Sequence, residues 1–272
     1  DLAQRAGGYP PPPGASDILG LECAGEVVEV GEEVRRVKAG DKVCALLAGG
    51  GYAEEVVVPA GLGLPIPDGL TYVEAASIPE VYATAYLNLY MEADLSIGEK
   101  VLLHAGASGV GTAAIQLLKY SKNPSFVTVG NADKLRRCRD LGADSGFIRH
   151  DGSFLNAVSE WSGKSGVDVI LDPVGANSFS DNISCLGIDG RLVLIGLLGG
   201  QSAELNMGFL MMKRISVIGS TLRARALPLK ANIMDRLKED VWPRFESKEI
   251  LPVIEEVFPI EDAEKAHNLI AG

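Results

Sequence analysis

The chain has 272 residues, 47% of them hydrophobic, and a formal charge of −11. Its length lies in the range of roughly 250–300 residues where a single core tends to divide, so two domains are expected. The acidic balance argues against nucleic acid as a partner, which needs a basic face. No apolar run approaches the roughly 18 residues of a membrane span, and no signal peptide opens the chain.

The opening stretch, "DLAQRAGGYPPPPGAS", reads as if entered mid-domain, with Pro10 to Pro13 forming a stiff loop. "LECAGEVVEVG" (21–31), "DKVCALL" (41–47) and "YAEEVVVPA" (52–60) are short, rich in Val and punctuated by Gly or Pro. They predict three strands of a small, irregular β-rich domain. Cys23, Cys44, Cys138 and Cys185 form no C-x-x-C, so neither a zinc nor a redox motif is visible, and free thiols in a reducing, cytoplasmic compartment are expected.

From Gly98 the pattern changes. Six apolar runs ("KVLLHA", "SFVTVG", "SGFIR", "VDVILD", "GRLVLIG", "RISVIGS") alternate with helix-compatible stretches. Continuous apolar runs suit strands buried on both faces, and the alternation predicts a doubly wound parallel α/β sheet. Between the first run and its helix lies "AGASGVGTAAIQL", in which Gly106, Gly109 and Gly111 are spaced G-x-x-G-x-G. Such a loop lets the backbone approach a pyrophosphate, and the helix that follows, with Val110 in its first turn, aims free N–H groups at the anion. Gly111 is expected to bring the helix close to the sheet.

The second run ends in Gly130-Asn131 with Lys134 beyond, and no carboxylate stands where an NAD-specific site would place one. Space at Gly130, a donor at Asn131 and charge at Lys134 favour a 2′-phosphate, hence NADP(H). Asp133 stands nearby, either to repel the phosphate or simply to sit in the first helical turn, where an acid is favourable. The tail predicts a long helix over "PLKANIMDRLKEDVWPRFES", then a short strand and helix in "ILPVIEEVFPIEDAEKAHNLIAG".

Together "AGASGVGTAAIQL", "ILDPVGANSF", "GRLVLIGLLGG" and "GSTLRAR" resemble the medium-chain dehydrogenase/reductase superfamily, and within it the zeta-crystallin-like NADPH quinone oxidoreductases. The resemblance covers the whole chain. It implies a GroES-like catalytic domain, here N-terminally incomplete (1–80 with 250–272), and a Rossmann NADP-binding domain (81–249), with cofactor and substrate in the cleft between them. It also implies a homodimer and a polypeptide that begins before Asp1. Zinc-dependent relatives carry a His where this chain has Leu21, before Glu22, and a Leu cannot ligate, so no metal is expected.

Matching positions imply site roles. Tyr9 would lie beside nicotinamide and substrate, and Ser108 near the substrate; these two are the catalytic candidates. A loop aromatic and a helix cap are their structural alternatives. Thr84 would lie on the nicotinamide side. Val174 would touch the ribose, while Gly196, Leu197 and Leu198 would follow the nicotinamide half. Leu222 and Arg223 would lie at the cofactor mouth. Arg149 stands where relatives have a Tyr near the adenine, and it can stack or pair with phosphate. The implied reaction is metal-free reduction of quinones by NADPH. Enone or enal reduction, or a non-enzymatic NADPH-binding, crystallin-like role, are the alternatives.

Overall fold

The computed structural model describes residues 1–271, which pack as two units: 1–83 with 222–271, and 84–221. In the first, α1 (Leu2–Arg5) leads into the Tyr9–Pro13 loop. Strands β1 (Glu22–Glu26), β2 (Lys42–Leu46) and β3 (Gly63–Pro65) form an antiparallel sheet in that order, with Glu22 opposite Leu46 and Val43 opposite Pro65. The helix α2 (Tyr72–Ala76) starts where a capping box forces it: Thr71 Oγ1 accepts from Glu74 N, and the Glu74 carboxylate accepts from Thr71 N at 2.8 Å. Pro79 opens α3 (Pro79–Tyr86), a place where its missing N–H costs nothing.

The second unit begins within α3. Its sheet is built from β4 (Val101–Leu103), β5 (Ser125–Val129), β6 (Ser145–Ile148), β7 (Val167–Asp172), β8 (Leu186–Leu194) and β9 (Ser216–Gly219). All six are parallel, in the order β6-β5-β4-β7-β8-β9. The helices α4 (Gly109–Ser121), α5 (Ala132–Leu141), α6 (Leu155–Ser162), α7 (Ala176–Cys185) and α8 (Met207–Lys213) connect them. Leu102, Phe126, Ile170 and Leu192 of the strands pack with Val158 and Ile183 of the helices in a buried core. This is the expected doubly wound Rossmann sheet, and its strands are buried along β4 and β5 as the apolar runs require.

The chain then returns to the first unit through α9 (Leu227–Glu246) and ends in α10 (Ala263–Ala271). Trp242 of α9 donates from Nε1 to Pro65 O at 2.7 Å, and Phe245 meets Tyr82 edge-on at 4.9 Å. These contacts place α9 with the first unit, so the packing boundary falls at 221/222 where the sequence had suggested 249/250. An amphipathic pattern shows that a helix has a buried face but not which sheet receives it.

Two expected strands differ. "YAEEVVVPA" and the segment 251–259 carry no strand. Val57 in the first is 95% exposed. A Val-rich run becomes a strand only where a neighbour offers a ladder, and among the described residues none pairs with either segment.

Candidate functional site

The sheet order reverses direction between β4 and β7, and open α/β sheets bind ligands outside the carboxyl ends of the strands at such a point. There the β4–α4 loop carries Gly106, Ser108, Gly109, Val110 and Gly111. Ser108 is the N-cap of α4, with its hydroxyl accepting from Gly111 N at 3.1 Å. The cap leaves other first-turn N–H groups without an intrahelical acceptor, next to the positive end of a 13-residue helix.

The glycines have different duties from those read in the sequence. A β-carbon at Gly106 would lie 2.7 Å from Val127 Cβ of β5, and one at Gly111 only 2.5 Å from Gly106 O and 2.6 Å from Ala105 O. Gly106 is therefore required by loop-on-strand packing, and Gly111 by contact of the helix start with its own loop rather than with the sheet. Ala105 adds a left-handed backbone (φ 53°) that the glycine pattern did not reveal.

At the end of β5, Asn131 caps α5 through Oδ1, which accepts from Lys134 N at 2.9 Å. The Arg149 guanidinium reaches over from the end of β6: a β-carbon at Gly130 would lie 3.8 Å from its Cζ and Nη2. Arg149 is thus brought to Gly130 from a distant part of the chain, while Asn131 and Lys134 are joined by the local cap. Asp133, the expected source of repulsion, is ion-paired with Arg136 at 3.1 Å.

Beyond β7 and β8, two loops bind each other: Leu198 N donates to Pro173 O (3.1 Å), Gly199 N to Val174 O (2.7 Å) and Ala176 N to Gly200 O (3.1 Å). Val174, Gly196, Leu197 and Leu198 are brought together in this way, with Leu198 84% exposed. Under them lies a buried chain that the sequence did not signal. The Asp172 carboxylate accepts from Val174 N (2.6 Å) and from Asn182 Nδ2 (2.9 Å). Asn182 Oδ1 is 2.7 Å from His104 Nε2, and His104 Nδ1 is 2.8 Å from Thr128 Oγ1. With Asn182 oriented by Asp172, His104 carries its proton on Nε2 and accepts from Thr128. Burial lowers the His104 pKa, so the ring is a neutral tie between strand ends. Thr84, on α3, has its carbonyl engaged by Asn88 Nδ2 at 2.7 Å.

The first unit holds Tyr9, Leu222 and Arg223. Leu222 is buried. Arg223 is 3% exposed; its Nε donates to Ala48 O at 2.8 Å and its Nη1 to Tyr9 O at 3.1 Å, while its Cζ lies 5.1 Å from the Tyr9 ring centre. Burial raises the Tyr9 pKa, and the nearby Glu80 charge adds to this while Arg223 opposes it. Glu22 accepts from Glu80 N at 2.8 Å. Burial pushes Glu22 up to about 8 and Glu80 up to about 7. Lys230 Nζ donates to Arg223 O at 3.2 Å. Nothing local in the sequence joins Glu22 to Glu80 or Glu80 to Lys230, which lie far apart in the chain.

No zinc centre fits these residues. Leu21 stands before Glu22, and among the described residues no three His, Cys, Asp or Glu side chains gather where they could hold a metal ion. His267, instead, is tied to Tyr52 Oη (2.9 Å) and Arg5 Nη1 (2.6 Å). No helix among the described residues is long and apolar enough to cross a membrane.

Residues 1–68 match the alcohol dehydrogenase GroES-like domain, and residues 109–238 match the family described as zinc-binding dehydrogenase. A highly reducing polyketide synthase, cm3B, of Cordyceps militaris is 34% identical over 254 residues, covering 92% of this chain and 10% of that protein. The chain thus spans about a tenth of that curated relative's length. Escherichia coli quinone oxidoreductase complexed with NADPH superposes with a TM-score of 0.87 at 27% identity, over 99% of this chain and 83% of the other. The JamJ enoyl reductase gives 0.82 at 26% identity, over 93% and 75%. With both its sequence families and its fold matched, the chain belongs to the medium-chain dehydrogenase/reductase superfamily.

Proposed function

We propose that the chain carries an NADPH-dependent, zinc-free reductase activity toward activated carbonyl compounds, with quinones as the substrate class. The observation that carries this reading is the β4–α4 loop: a helix N-terminus and a close-packed glycine turn at the switch point, with Arg149 reaching Gly130 at the next strand ends and Lys134 in the first turn of α5. The likeness to a quinone oxidoreductase complexed with NADPH supports it.

On this reading Gly106, Ser108, Gly109, Val110 and Gly111 receive the pyrophosphate. Gly130, Asn131, Lys134 and Arg149 receive the 2′-phosphate. Val174, Gly196, Leu197 and Leu198 follow the ribose and nicotinamide, with Thr84, Leu222 and Arg223 as further cofactor contacts. Bound NADPH supplies hydride. A quinone delocalises the charge that arrives with it, so less electrophilic help is needed than a metal would give. Tyr9 and Ser108 orient the acceptor and its proton.

Reduction of enones or enals is the second reading, supported by the likeness to an enoyl reductase and a polyketide synthase. The proposal includes a homodimer and a reducing, cytoplasmic compartment. The dimer is supported by the edge strand β9, whose Val217 is 39% exposed, and by Met207, Met211 and Met212 of α8, each about three-quarters exposed. The buried thiols of Cys44, Cys138 and Cys185 suit the compartment.

A paired NADPH and NADH assay against 1,2- and 1,4-quinones and 2-alkenals tests the reading. NADPH-preferring quinone turnover is expected. Turnover of alkenals alone selects the second reading, and preference for NADH overturns the cofactor assignment.

A further inference from the structure

Four buried side chains form one line of hydrogen bonds at the carboxyl ends of three strands of the second unit. Thr128 of β5, His104 just past β4, Asn182 of α7 and Asp172 of β7 are each 5% exposed or less. His104 bridges Thr128 Oγ1 (2.8 Å) and Asn182 Oδ1 (2.7 Å), and Asn182 Nδ2 donates to Asp172 Oδ2 at 2.9 Å. Both ends of the line pass into backbone. Thr128 O accepts from Gly106 N at 3.0 Å, inside the glycine turn. The Asp172 carboxylate accepts from Val174 N (2.6 Å) and Gly175 N (3.2 Å), which fixes the turn after β7. That turn in turn holds the loop after β8, since Val174 O accepts from Gly199 N at 2.7 Å. An unbroken line therefore runs from Gly106 to the loop of Leu198.

Strand cohesion does not need this line. β4 and β7 already pair along Val101–Leu103 and Val169–Leu171, and Leu102, Leu103, Phe126 and Val127 are buried apolar neighbours. A buried polar group is costly beside an apolar one of the same size, and what a fully satisfied polar chain adds is direction. Each link here admits one polarity. With Asn182 Nδ2 turned to Asp172, its Oδ1 faces a His104 Nε2–H, and His104 Nδ1 accepts from Thr128. Resting on the reductase reading, we propose that His104 and Asn182 are positioning residues for the nicotinamide half of the dinucleotide: they hold the Asp172 carboxylate in the orientation that fixes the Val174–Gly175 turn relative to the glycine turn. The adenosine half is assigned to Gly130, Asn131, Lys134 and Arg149, none of whose side chains belongs to the line.

Two variants break the line with little change of shape. His104→Phe keeps a ring against Phe154, which the imidazole meets edge-on at 5.1 Å, and Asn182→Leu keeps the volume. They are compared with the unaltered protein by three measurements. The first is quinone kcat. The second is the fluorescence of bound NADPH, which reports how firmly the dihydronicotinamide is held. The third is affinity for adenosine 2′,5′-bisphosphate, which carries the adenosine half alone. The expected result is a fall in kcat of about 10–10²-fold, the scale of a displacement of about 1 Å at the reacting atoms. The fluorescence of bound NADPH should drop, and affinity for adenosine 2′,5′-bisphosphate should hold. His104→Gln, whose amide keeps one donor and one acceptor, should recover part of kcat. Equal losses of affinity for NADPH and adenosine 2′,5′-bisphosphate would mean that the whole site loosens, and they overturn the proposal. Unchanged kcat and fluorescence with a lowered melting temperature reduce the line to a staple and overturn it as well.

Should the single variants fail to fold, Thr128→Val combined with His104→Phe and Asn182→Leu replaces the line by apolar groups of similar shape, which costs less than leaving one partner unpaired. Amide hydrogen exchange at Val174 and Gly175 in the unaltered protein answers the question independently. Protection gained with NADPH but not with adenosine 2′,5′-bisphosphate supports the proposal, and equal protection by both, or by neither, overturns it. The unaltered protein's turnover tests the reductase reading by itself. NADPH-dependent protection of the turn without any quinone turnover would sink quinone reduction and leave the positioning role standing.

Discussion

At the residue scale, the proposed function gives Lys134 and Arg149 the choice of nucleotide. Arg149 lies 3.8 Å from where a Gly130 β-carbon would stand, Lys134 sits in the first turn of α5, and Asp133 beside it is engaged by Arg136. Replacing Lys134 and Arg149 together by Ala is expected to raise the NADPH KM by about tenfold or more, equivalent to about 1.4 kcal/mol, as fits the loss of charge-assisted contacts. The NADH KM should change little; steady-state assays with both nucleotides check this, and equal losses for the two would remove the 2′-phosphate from the argument. Sequence reasoning found this group because a strand end followed by Gly-Asn and a Lys is a local pattern. It did not find that Arg149 would reach Gly130, since that needs β6 to lie beside β5.

At the scale of the element, the β4–α4 turn shows what a glycine pattern conceals. Gly106, Gly111 and Gly130 look alike in sequence but face different surroundings. Alanine at Gly106 meets Val127 Cβ at 2.7 Å, and at Gly111 it meets backbone carbonyls at 2.5–2.6 Å, while at Gly130 the nearest atoms stand at 3.8 Å. Gly106→Ala and Gly111→Ala are each expected to cost about 1–3 kcal/mol through overpacking against atoms that cannot swing away. Gly130→Ala should stay within about 0.5 kcal/mol, as substitutions without a clash do. Urea unfolding midpoints measure the difference, and a Gly111→Ala variant as stable as the parent would contradict the close approach.

At the scale of the whole molecule, each packing unit has its own buried polar device. In the second, Thr128, His104, Asn182 and Asp172 tie the ends of β5, β4 and β7 to α7, with burial holding the His104 pKa below its ordinary value. In the first, Glu22 and Glu80 are held above their ordinary range by burial. A carboxyl raised in the folded state binds protons there that the unfolded chain has released. Its contribution is therefore fully present below the unfolded value of 4.5 and is lost as pH rises through about 7 to 8. Thermal stability is expected to fall from pH 5.5 to pH 8.5, and Glu22→Gln, which keeps an acceptor for Glu80 N, should flatten that slope. Differential scanning calorimetry across the window decides; a slope unchanged in Glu22→Gln would show that Glu22 is not the group concerned.

The sequence by itself determined the six-stranded alternation, the glycine turn, the missing zinc ligand and the strand-end residues that point to the nucleotide. These are legible because periodicity, turn chemistry and ligand chemistry are local: they act within a few residues of chain. Only the tertiary structure decided the rest. It withheld ladders from "YAEEVVVPA" and from residues 251–259, and it sent α9 to the first unit through Trp242 and Phe245. It also joined His104 to Asn182 across 78 positions, and brought Arg223 to Tyr9 across 214 while leaving one of its donors open. Pairing, burial and hydrogen-bond satisfaction are properties of neighbours in space, and the identity of those neighbours is not written beside the residues that need them.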